Sequence, residues 1–126
     1  MLFRSVGTGT GNPRAAAVVW QAGKDSLLDD VTFPGGLGNL NGGAPGRGGG
    51  PAVNTRNSQA GDLIIQDGGG GIFRGGWPHD PNAKIGLRVA NTTTPGTIYQ
   101  MSVEHHYRVE VEFHDVKNWN ILALQT

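Results

Sequence analysis

Histidines and carboxylates are the residues of this chain best equipped for chemistry. Three of the four histidines fall within "SVEHHYRVEVEFHD", from Ser102 to Asp115, interleaved with Glu104, Glu110 and Glu112. Imidazole nitrogens and carboxylate oxygens are the donors left for a divalent cation when cysteine is absent, and this chain has no cysteine. On an extended strand, Glu104, His106 and His114 share one face, where side chains two apart are separated by about 6.6 Å. They are candidate ligands only with help from elsewhere, which His79 and Asp80 could supply. The ordinary alternative is a solvated, mixed-charge strand face, so neither a metal nor a cofactor is expected. His105 points the other way, onto the apolar face. Buried and neutral there, it would charge on acidification near or below about pH 6.5 and loosen the packing. It is the candidate pH-sensitive core residue.

Other catalytic patterns are missing. "GTGTGNPR" lacks the spacing of a dinucleotide loop, and "GGGGIFRGG" is not followed by the Lys-Ser or Lys-Thr of a phosphate loop. No serine sits in a G-x-S-x-G elbow. The expectation is a protein that is not an enzyme. Trp77, in "GGWPHDPN", is the residue most suited to a ligand: an exposed indole can stack on a sugar ring or cap the end of a core. Trp77, His79 and Asp80 therefore form a candidate ligand or interface loop.

The elements that would position these residues read as strands. From Ile98 to Phe113 the odd positions, Met101, Val103, His105, Tyr107, Val109 and Val111 among them, are mostly apolar. The even positions, from Gln100 through Glu104 and Arg108 to Glu112, are polar. That alternation predicts one long strand, about 50 Å if straight, because no Gly, Pro, Asn or Asp interrupts it. "AKIGLRVANTTT" reads as the strand before it and "PG" as the turn, which makes 84–113 one antiparallel hairpin. "DLIIQD" and "RAAAVVWQA" read as shorter strands. Residues 34–51, with nine glycines in eighteen positions, predict a long loop. The tail 116–126, carrying Trp119, Ile121, Leu122 and Leu124, reads as a last strand or an assembly arm. No constant-period repeat and no three-turn amphipathic helix is evident.

The bulk properties bound the answer further. At 126 residues the chain forms one domain or part of one. Ten basic residues balance ten acidic ones, which does not support nucleic-acid binding by phosphate neutralisation. No apolar run is long enough to span a membrane as a helix, and "MLFRSVGTGTGN" does not read as a secretory signal.

"TTTPGTIYQMSVEHHYRVEVEF", preceded by "AKIGLRVANTTTPG", resembles the closing strands of the jelly-roll shell domain in coat proteins of small icosahedral viruses. The resemblance covers roughly the last 45 residues. It implies an all-β, jelly-roll-like antiparallel β-sandwich with long glycine-rich loops. On this reading residues 1–126 form a single domain or the C-terminal portion of a larger jelly roll. It also implies a structural, self-assembling capsid subunit found in the virion, whose partners are other copies of itself or a companion coat subunit. The short, net-neutral chain departs from that family's basic arm. A carbohydrate-binding or adhesin-like β-sandwich centred on Trp77 is the alternative, favoured if exposed polar residues gather around that indole. A metal-binding cupin-like barrel is the second alternative, although His105-His106 is not the His-x-His pattern of that family.

Overall fold

The computed structural model describes residues 14–33, 59–79 and 83–126; among them lie ten strands and no helix. The strands are β1 (Ala16–Trp20), β2 (Leu27–Asp29), β3 (Thr32–Phe33), β4 (Gln59–Gln66) and β5 (Gly71–Arg74). They continue with β6 (Trp77–Pro78), β7 (Ala83–Thr92), β8 (Gly96–Ser102), β9 (Val109–Val116) and β10 (Trp119–Gln125). The chain is all-β, but its pairing is not the antiparallel one expected. Every strand pair among the described residues is parallel.

The order of strands explains why. The first sheet runs β1-β4-β7-β9, the second β2-β5-β8-β10, and the third β3-β6, extended by a bridge between His79 and Glu104. The chain visits the three sheets in turn and returns to the first one level higher. That path is a parallel β-helix, a coil in which each turn stacks on the one before. Gly61 lies beside Ile85 and Ile85 beside Val109, a step of 24 residues each time. The step from Ala16 to Gly61 is 45, and the extra residues enter between β3 and β4. The glycine-rich 34–51 segment belongs to that stretch and lies outside the described residues.

Left-handed residues stand at the first corner of the second, third and fourth coils and at the second corner of all four. At the first corner stand Asp67, just after β4, and Asn91 and Asp115, near the ends of β7 and β9, with φ of 50°, 51° and 50°. Asp and Asn tolerate this conformation better than other non-glycine residues. At the second corner stand Asp30, Gly75, Gln100 and Ala123, all with φ between 50° and 60°. Gln100 thus bends the chain inside the segment expected to run straight, and β8 ends at Ser102. His105, with φ of 64°, turns it again before β9 begins. The predicted Ile98–Phe113 strand is two strands on different sheets, and the predicted 84–113 hairpin is one coil and the start of the next.

The core fills the coil in columns. Leu63, Leu87 and Val111 align in the first sheet, and Phe73, Ile98 and Ile121 in the second. Leu63, Leu87, Phe73 and Ile98 are fully buried. Phe73 also joins coils through aromatic contacts: Trp20 meets it edge-on at 5.2 Å, and Trp119 stacks on it at 5.7 Å. The tail residues Trp119, Ile121, Leu122 and Leu124 are therefore part of β10, laid along β8, and Trp119 and Leu124 pack against the core. Leu87→Ala should lower the unfolding free energy by about 2–5 kcal/mol, because it empties a column enclosed on both sides. Val19→Ala, on an exposed position of β1, should change it by less than about 0.5 kcal/mol. Urea denaturation of the two variants checks the inward and outward assignment.

Candidate functional site

The third corner of the coil joins the third sheet to the first. In the third coil it is the segment Glu104 to Arg108, and it gathers most of the residues with chemistry. Its anchor is His106, whose side chain is fully buried. The imidazole lies between carboxylates from the coils on either side: Nε2 is 3.0 Å from Asp62 Oδ2, and Nδ1 is 2.5 Å from Glu110 Oε2. The His106 backbone N–H also donates to Glu110. Asp62 is itself buried, while Glu110 is one-third exposed.

Room for that ring is made by an absent side chain. The register aligning Gly61, Ile85 and Val109 also puts Asp62, Gly86 and Glu110 in one column. A Cβ on Gly86 would lie 2.5 Å from His106 Cε1 and would also collide with Val103, a buried core residue. Glycine in the middle coil lets the imidazole occupy the space between two acids.

Burial disfavours a charged imidazole, but hydrogen bonds to Asp62 and Glu110 and their negative charge outweigh it, so the His106 pKa is raised above its ordinary value. In the imidazolium form both ring nitrogens are N–H donors, matching the two carboxylates. A raised folded-state pKa makes this contribution complete below the unfolded value near 6.5; it is lost as pH rises through the folded value.

His105 and His106 exchange the roles expected of them. A left-handed residue between Glu104 and His106 breaks the parity of the strand. His105 is left outside, with its side chain 66% exposed, and is not a core switch. There it meets His79 edge-on at 4.9 Å, and His79 lies 5.0 Å from the ring of Trp77. Trp77 is 45% exposed, on β6 beside Thr32 of the coil below. Glu104 borders the same patch: Oε1 accepts from Ser102 Oγ at 2.5 Å and Gln125 Nε2 at 3.0 Å, and Oε2 lies 3.7 Å from His105 Nε2. Asp80 lies outside the described residues.

The candidate metal ligands do not converge. Glu104 borders the third sheet, His106 is enclosed between two acids, and His114 stands near Glu112 on the first sheet. Among the described residues no group of three or more His, Cys, Asp or Glu side chains could hold a metal ion. Asp62 and Gly86 were not singled out in the sequence, yet they stand with Glu110 in a column spaced 24 residues apart, the spacing also of Asp67, Asn91 and Asp115.

Fold and site thus define a parallel β-helix with a buried acid–imidazole–acid staple beneath an aromatic–imidazole surface patch. No known family, curated protein or solved structure matches the chain.

Raising the pH from about 6 through the folded pKa of His106 should lower the urea midpoint of the native protein. In His106→Gln that dependence should flatten. His106→Ala, which leaves Asp62 and Glu110 without the ring between them, should cost about 3–5 kcal/mol. A pH profile unchanged by His106→Gln would show that this imidazole does not carry the effect.

Proposed function

We propose that this protein is a carbohydrate-binding β-helix, with the patch of Trp77, His79, His105 and Glu104 as its sugar-facing surface. The observation that carries this reading is the half-exposed Trp77 indole in ring contact with His79, which in turn contacts His105. An indole face suits the C–H face of a pyranose, and hydroxyl groups at the ring edge need nearby donors and acceptors. Imidazole nitrogens supply both, and Glu104 is an acceptor already held in position by Ser102 and Gln125. A tryptophan serving only to cover the core would not need such polar company. The patch sits on strands and on a stapled corner, so little ordering is required on binding. The reading is of binding without catalysis.

Self-assembly as a coat subunit is the second reading, and a different observation favours it. On β9 and β10 the column residues Phe113 and Ile121 are substantially exposed, unlike Val89 and Ile98 beneath them. Their strand edge could pair with a second copy. The resemblance behind the jelly-roll form of this idea rests on strands that pair in parallel here.

A glycan array followed by calorimetric titration separates the two readings. Trp77→Ala should reduce affinity for the best glycan by about tenfold or more, with thermal stability unchanged, because the side chain lies outside the core. Absence of binding to any glycan, with a large uniform particle by light scattering, would instead favour assembly.

A further inference from the structure

The outer face of the first sheet holds a groove that the patch around Trp77 does not include. It has a volume of about 310 Å³ and is lined by Lys84, Ile85, Arg88, Arg108, Val109, Glu112 and His114. Ile85 and Val109 lie side by side on adjacent coils and form an apolar floor. Lys84 and Arg108 stand together at one end, joined through the Arg108 N–H bond to the Lys84 carbonyl at 3.1 Å. Arg88 lies four residues along β7 from Lys84, about 13 Å away in an extended strand. Its Nε is 3.2 Å from Glu112 Oε1.

The charge balance is local. The groove collects three permanent cations against one carboxylate, in a chain whose ten basic and ten acidic residues cancel. Arg88 is paired with Glu112, and His114 lies 3.6 Å from the same carboxylate. Among the described residues, no ion pair engages Lys84 or Arg108. Two adjacent cations beside an apolar floor, at the mouth of a concave site, call for an anionic group attached to a body with an apolar face. Arginine presents a planar fork to carboxylate or sulfate oxygens, and the apolar floor suits the C–H face of a sugar ring. A nucleic acid would need a longer run of cations than this groove supplies.

Position links the groove to the patch. His105, in the ring cluster with His79, and Arg108, at the end of the groove, belong to one corner, pinned at its centre by His106. A chain-like ligand crossing that corner would meet both. We infer that the groove binds the charged groups of an acidic oligosaccharide, carboxylated or sulfated; this rests on the carbohydrate reading and names the class of sugar.

Calorimetry of the full chain with three probes tests it: an oligogalacturonate, a sulfated oligosaccharide of similar length and a neutral gluco-oligosaccharide. The expected result is that one or both acidic probes bind more tightly than the neutral one, and that added salt weakens them. Arg108→Gln and Lys84→Gln should each reduce that affinity by about tenfold, without altering the melting temperature. Which acidic probe loses more identifies the anionic group. Equal binding of neutral and acidic probes, unaffected by Arg108→Gln but lost in Trp77→Ala, would overturn the acidic class and leave the carbohydrate reading standing. Binding of none of the three, with no hit on the wider array, would overturn both.

Discussion

In-register stacking of one coil on the next governs nearly everything else in this molecule. Parallel pairing along β4, β7 and β9 puts each residue against the one 24 positions away, so a column has a fixed supply of space that its members share. Where one coil contributes glycine, another can send a large side chain into the gap. His106 fills the room above Gly86, and the Trp119 indole lies where a Cβ on Gly96 would stand. The same stacking sets charge against charge: Arg88 and Glu112 are register partners on neighbouring strands and form an ion pair. Interactions that look distant in the sequence are vertical neighbours.

The His106 staple shows how such a column supports a surface. Left-handed backbone at a non-glycine residue costs on the order of 1 kcal/mol, and His105 adopts it where an extended strand would be easier. What offsets that cost is the placement of its neighbour between two acids from different coils. The turn that buries one imidazole necessarily exposes the other, which brings His105 to His79. Buried charge and exposed patch are two sides of one bend, so the corner's shape is tied to the protonation of a residue that solvent does not reach.

Much of the element content was legible from the sequence, but the pairing was not. "DLIIQD" and "AKIGLRVANT" have the β-branched, alternating character of strands and occur as β4 and β7. Alternation carries no information about parallel or antiparallel neighbours, and "PG" after a strand resembles a hairpin turn even when the chain is turning a coil corner. The break at His105 left no glycine, proline, asparagine or aspartate to mark it. The repeat escaped notice because stacked positions need compatible volume, not similar residues: Asp62, Gly86 and Glu110 make one column and resemble one another hardly at all. The one chemically regular signal, Asp67, Asn91 and Asp115, consists of residues common in any loop. Trp77 and His79 were legible because an aromatic and an imidazole beside glycine and proline stand out, whereas Asp62 lies inside a run that reads as ordinary strand.

The unequal length of the coils has an evolutionary consequence. Two of the three corners carry left-handed residues in the second to fourth coils, but the third joins sheets through segments of different length. The first coil spans 45 residues where the next two span 24, and its surplus lies between β3 and β4 without disturbing the register of the strands on either side. Insertions and deletions at that corner are thus nearly decoupled from the scaffold. A lineage can rewrite the surface bordering His105 and Arg108 by lengthening or shortening one connection, while the stacked columns continue to fold as before.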